Sequence, residues 1–120
     1  MANPNIVNVT SIFGKVNGQA IGTTPNAIVT NNNASGQIFK INSLVVSNVD
    51  GTNEADVTVE VFKNQSTSYY LAYTITVPAD STLVVVSKDT SIYLEENDSL
   101  RCSASATGDL HAVCSYEIIS

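Results

Sequence analysis

Apolar and polar residues alternate with a period of two through much of this chain. In "ADVTVEVFK" (55–63) Val57, Val59 and Val61 alternate with Asp56, Thr58 and Glu60. In "SYYLAYTITV" (68–77) Tyr69, Leu71, Tyr73, Ile75 and Val77 alternate with Ala72, Thr74 and Thr76. Such alternation predicts strands with one face on a core and the other in water. On this reading Tyr69 and Tyr73 point inward and Tyr70 outward. "QIFKINSLVVSNV" (37–49) is apolar on both faces, through Phe39, Ile41, Val45 and Val49 on one and Ile38, Leu44 and Val46 on the other. Together with the short run "STLVVVS" (81–87) it predicts central strands, or strands whose second face meets a partner.

Turn signals punctuate the pattern. Asp50-Gly51 in "VDGTNEAD" (49–56), then "KNQSTS" (63–68), "PADS" (78–81), "EENDS" (95–99) and "TGD" (107–109) separate the apolar runs. The result is about seven or eight short strands from Ile38 or just before it, about 8 to 15 residues apart, with no amphipathic helix. The expected fold is all-β: a two-sheet antiparallel sandwich of jelly-roll or immunoglobulin-like type. One domain is expected, with a β-sandwich core over 38–120. Residues 1–37 differ, since "IVNVTSIFGKV" and "NAIVTN" suit strands while "NGQAIGTTPN" and "NNNASG" do not. Two readings stay open for this N-terminal segment: edge strands of the domain, or an extended arm ordered against a neighbour.

The last predicted hairpin, "NDSLRCSASATGDLHAVCSYEI" (97–118), holds both cysteines and the only histidine. A loop centred on Gly108 sets Cys102 opposite Cys114 and Leu100 opposite Tyr116, with the apolar residues of both strands on one face. Opposed Cβ atoms in antiparallel strands lie about 4.5–5.5 Å apart, against about 3.8 Å in a relaxed disulfide. Cys102 and Cys114 therefore form a cross-strand thiol pair, read as buried reduced thiols or as a strained bridge made in an oxidising medium. His111 has the opposite parity and leaves the cysteines without a third ligand, so no metal site is expected.

Composition narrows the function classes. Asn, Ser and Thr make up about a third of the 120 residues, while charged residues make up 13% against the usual quarter or so. The net charge is −6, and Lys15, Lys40, Lys63, Lys88 and Arg101 stand singly. Without a cationic stripe to release counterions, nucleic acid is not an expected partner. No apolar run approaches the length of a membrane helix, so no membrane partner is expected. "MANPNIVNVT" has neither the cationic nor the apolar region of a secretory signal, so synthesis in a cytoplasm is expected. Nucleophilic catalysis lacks a base beside a nucleophile, and no catalytic residue or cofactor is assigned. The acidic residues are read as solvated charge at turns and outward strand positions. "DGTNEAD" and "EEND" offer oxygens without the spacing of a calcium loop.

The C-terminal pattern "SIYLEENDSLRCSASATGDLHAVCSYEIIS", with a Tyr-Leu-Glu-Glu strand end, an acidic turn, a Ser/Ala-rich strand and a closing Ser-Tyr-Glu, resembles small structural proteins of tailed bacteriophages, those of cyanobacterial phages in particular. "MANPNIVNVTSI" and "KINSLVVSNVDGTNEADVTV" are similar to the same group, so the likeness covers most of the chain. Asn97 stands where that turn would carry Gly, which the left-handed region tolerates. The resemblance implies a non-enzymatic virion component made in a host cytoplasm. Its most direct form is a capsid decoration or cement protein, a homo-oligomer with a trimer favoured, bound to the major capsid protein or other virion proteins. The alternative is a neck, tail or fibre-associated module, with host-surface carbohydrate as a possible ligand. Ile6, Val7, Ile12 and Phe13 are the expected subunit contacts.

Overall fold

The structure, a computed structural model, describes residues 4–120; the first three residues of the N-terminal segment lie outside the described residues. Among the described residues nine strands follow one another: β1 (Ile12–Ala20), β2 (Asn26–Thr30), β3 (Ile38–Asn48), β4 (Ala55–Lys63), β5 (Thr67–Val77), β6 (Thr82–Val86), β7 (Ile92–Leu94), β8 (Ser99–Ala104) and β9 (Leu110–Ile119). One 3-10 turn, Lys88–Thr90, separates β6 from β7. Sheet A runs β1-β9-β3-β6, with β7 also on β3, and sheet B runs β2-β8-β4-β5; every pairing is antiparallel. Only β4 and β5 pair as chain neighbours. Every other connection either crosses between the sheets or joins β6 to β7 along β3. That strand order is a jelly roll, which separates the two sandwich topologies left open by the sequence.

The core lies between the two inner faces. Ile41, Leu44 and Val46 of β3 meet Val57 and Val59 of β4 and Leu100 of β8 there, all fully buried. Each such side chain contributes about 1.5–3 kcal/mol over its exposed state. The two apolar faces predicted for β3 are largely one face interrupted. The register slips between Ile41 and Ser43, so Phe39 and Ile41 before the slip and Leu44 and Val46 after it all reach the core. A bulge at Asn42 changes the parity, as a single extra residue must.

The predicted cysteine hairpin does not form. β8 belongs to sheet B and β9 to sheet A, and residues 105–109 carry the chain across the sandwich. Cys102 is opposite Val59 on one side and Asn26 on the other, and Cys114 lies between Leu44 and Asn17. Cys102 and Cys114 are thus a pair across sheets, not across a ladder. The parity holds for a different reason: Leu100, Cys102, Ala104, Leu110, Ala112 and Cys114 are all buried because both inner faces point to one core.

Two buried asparagines fix the sheet-to-sheet connections. Asn31 donates from Nδ2 to the carbonyls of Gln37 (2.9 Å) and Leu94 (3.0 Å), and accepts from the Ser35 hydroxyl. Asn48 donates to the carbonyls of Asn53 and Val77, both at 2.9 Å, and accepts from the Asp50 amide. Each supplies to a loop the partners that a sheet ladder would otherwise give, as burial demands.

Candidate interaction surfaces

β5 departs furthest from expectation. Tyr69 is 63% exposed, Tyr73 62%, and Leu71 and Ile75 also face solvent, so of the inward face predicted for this strand Val77 alone is buried. Two causes combine. β5 is the edge strand of sheet B, where the facing sheet offers only the short β6. Its register on β4 also slips twice, between Val57 and Val59 and again between Val59 and Glu60. Thr74 sits in the first slip at φ 47°, its amide held 3.1 Å from the Thr58 hydroxyl. The slips bring the Tyr70 and Tyr73 rings together edge to face, with centroids 4.8 Å apart.

The consequence is an open groove along one side of the sandwich. Leu71, Ala72, Tyr73 and Ile75 of β5 face Leu83, Val84 and Val85 of β6 around about 430 Å³. Among the described residues no charged side chain lines it. Both strands are sheet edges there, and neither carries the inward charge or lysine that usually guards an edge. The opposite side is closed, where Asn17 of β1 donates to the Ile28 carbonyl of β2 at 2.6 Å.

A second apolar surface lies ahead of β1. Residues 4–11 stand outside both sheets and are tied to Ser120 at their end: the Thr10 and Ser11 amides donate to its carbonyl (2.7 and 3.1 Å), its amide donates to the Ser11 carbonyl (3.0 Å), and the Ser11 and Ser120 hydroxyls pair at 2.8 Å. Val7 is 86% exposed, and Ile6, Ile12 and Phe13 are more than half exposed. The four residues expected to make subunit contacts are thus all on the surface, Ile6 and Val7 in this segment and Ile12 and Phe13 at the start of edge strand β1.

Charge is placed differently from expectation. Asp98 and Glu60, read as solvated, are buried at 1% and 4% exposure. Asp98 accepts from the Asn64 amide (2.8 Å), the Glu95 amide (3.0 Å) and the Lys63 ammonium (2.8 Å). It thereby joins the β4–β5 hairpin to the β7–β8 loop. Asn97 in that loop is left-handed at φ 71°, as its replacement of Gly implies. Lys63 also reaches Glu95 at 2.8 Å; burial lowers its pKa, but the two carboxylates outweigh this and hold it above the usual lysine value. Glu60 accepts from Arg101 Nε at 2.7 Å, and the guanidinium lies 3.7 Å over the Phe62 ring.

In the two acidic loops the carboxylates of Asp50, Asp56, Glu95, Glu96 and Asp98 are engaged by protein donors. Glu96 accepts from the Gly36 amide, and Asp50 from the Thr52 and Asn53 amides, which lower its pKa. Among the described residues no group of three His, Cys, Asp or Glu side chains is gathered around a point where a metal would sit. Cys102 and Cys114 are free thiols, each pushed up to about 12 by burial, and at neutral pH neither supplies a thiolate nucleophile. A shallow hollow of about 440 Å³ in sheet A brings Lys40 and Lys88 near Glu117, whose carboxylate already accepts from Asn42.

These features describe a jelly-roll domain whose unusual surface is apolar edge and segment rather than a reactive cleft. No protein-family model matches the chain, and no curated protein matches it. Among solved structures it is similar to a subunit of Bacillus endospore appendages, described as a novel family of disulfide-linked pili. The TM-score is 0.56 with 16% identity, over 100% of this chain and 96% of that one. Weaker likenesses are to a pentameric capsid protein from metagenomic phage sequences, in two structures. Their TM-scores are 0.43 and 0.42, with 15% and 14% identity over 84% of this chain and 60% and 59% of theirs. At such identities the pilus subunit shares the fold.

The groove was missed in the sequence because alternation reports which residues share a face, not whether anything covers it. One signal was present: β5 spans eleven residues without a charge, unusual for a strand that ends in water.

Proposed function

We propose that the chain is a non-enzymatic structural subunit of a phage virion, a decoration or cement protein that docks on the capsid lattice, with a trimer as its favoured oligomer. The observation that carries this reading is where its exposed apolar residues lie. Most of them gather along the β5/β6 edge pair and in residues 4–13, both uncharged, on a chain of net charge −6; Val16, Val49, Tyr93 and Val113 lie outside these two patches. Apolar patches rimmed by polar surface mark places where proteins meet. The family resemblance supports the virion setting, and the jelly roll is compatible with it while naming no function by itself. In that role weak contacts repeated by symmetry resist the pressure of the packed genome.

One observation favours a second reading, a tail or fibre module that binds host carbohydrate. Three tyrosines of β5, not one, are exposed, and aromatic faces stack on sugars. Copy number separates the two. Mass spectrometry of purified particles, with this protein quantified against the major capsid protein, gives a simple lattice ratio for a decoration protein. A few copies per particle moves it to the neck, tail or fibres, and absence from particles refutes the virion proposal.

A further inference from the structure

We infer that the β5/β6 groove is the seat for residues 4–13 of a second copy of this chain, so that copies join head to tail. The inference rests on the assembly reading above and deepens it by naming the partner and both halves of the contact. The groove presents seven uncharged lining residues between two unpaired strand edges. Its occupant must be an extended, uncharged segment that supplies apolar side chains and backbone hydrogen bonds. Residues 4–13, "PNIVNVTSIF", carry no charge and expose Ile6, Val7, Ile12 and Phe13; the turn that the Asn8 amide closes on the Asn5 carbonyl (2.9 Å) opens on docking, at the cost of that one local bond. On a chain with eleven acidic and five basic residues, two uncharged surfaces are where copies meet at least electrostatic cost.

Geometry excludes the segment's own groove. β1 and β6 lie at opposite edges of sheet A with β9 and β3 between them, about 14 Å apart at the usual strand spacing. Along the strands, Ile12 aligns with Ile119 and Ile38, whereas β6 aligns with residues 44–47 of β3. That offset adds about 20 Å. The two offsets combine to about 24 Å. The eight residues 4–11 reach about 26–29 Å when fully extended, so nearly all of them would be spent in crossing the sheet, with about one left to occupy the groove. The contact is therefore between copies and heterologous, giving a ring if the rotation closes and a filament if it does not.

Two full-length variants test this by complementation. Leu71→Glu puts a charge into the groove, and Ile6→Asp with Val7→Asp puts charge into the segment. All three positions are exposed, so the domain still folds; an unchanged melting temperature verifies it, and Ile75→Glu replaces Leu71→Glu if that variant melts early. By light scattering on a sizing column, the wild type is expected to be oligomeric and each variant a 12.7 kDa monomer. Their equimolar mixture is expected to stop at dimers, because only one intact groove–segment junction remains per pair. A monomeric wild type, variants that still assemble, or a mixture that stays monomeric would each overturn the inference. Copy number in particles is read independently. Head-to-tail assembly by a protein absent from virions would refute the virion proposal and leave this contact standing.

Discussion

Asp98 is the charge on which the hairpin end of the sandwich depends, and its replacement by Ala gives a measurable loss. Its carboxylate accepts two backbone N–H bonds, from Asn64 and Glu95, and hydrogen bonds to a charged group contribute about 1.5–3 kcal/mol each. Asn64 and Glu95 lie at the surface, where water replaces part of the lost acceptor, so the lower end applies and the two bonds together are worth about 3 kcal/mol. The Lys63 ion pair adds at most about 1 kcal/mol, because the ammonium is substantially exposed, screened by solvent, and keeps Glu95. Asp98→Ala should therefore cost about 3–4 kcal/mol. A chain of this length shifts its melting temperature by about 4 °C per kcal/mol, so the drop is about 12–16 °C. Lys63→Met, which removes the cation but leaves both amide bonds, should cost less than about 1 kcal/mol. Urea unfolding with a constant m-value reads both. If Lys63→Met costs as much as Asp98→Ala, or Asp98→Ala costs under about 1 kcal/mol, the carboxylate is not the acceptor that holds the two loops.

Alkaline stability follows from the buried thiols. Each has a folded pKa of about 12 against 9.0 for the free group, so their contribution is complete below pH 9 and is lost as pH rises from 9 toward 12. The slope is up to about 1.4 kcal/mol per pH unit per thiol, and the raised values of Lys63 and Tyr116 act in the same direction at higher pH. A Cys102→Ala, Cys114→Ala double variant should lower stability at pH 7 yet lose most of the dependence between pH 9 and 10 in urea titrations; an unchanged slope would refute the assignment. In the β4–β5 turn, Asn64 and Gln65 are both left-handed (φ 54° and 52°) with the Ser66 amide on the Lys63 carbonyl, the geometry of a type I′ turn. Gln65→Gly should raise the melting temperature by about 2–4 °C, from about 0.5–1 kcal/mol of strain relieved, and a lower value would mean the turn is not strained.

Much of the fold was legible because period-two alternation needs no tertiary information. The strands, their turns and the parity of the C-terminal apolar residues follow from it directly. What it cannot carry is the identity of the partner strand. A short Gly-containing loop between two apolar strands reads the same whether it closes a hairpin or crosses to the other sheet, and the 105–109 loop does the second. The bulges at Asn42 and Thr74 are likewise silent, since each depends on where neighbouring strands pair and not on its own residue type. The buried charges follow the same logic. Asp98 and Glu60 look like ordinary surface acids until the fold brings the Asn64 and Glu95 amides to one and Arg101 to the other, and among the described residues no buried side-chain oxygen is left without a partner. The groove is the reverse case. Its apolar side chains were placed inside because an alternating uncharged strand normally has something to cover it, and within this one chain β6 is too short to do so. The missing cover is a strand's worth of apolar surface, and the chain carries such a segment at its other edge, beyond its own reach.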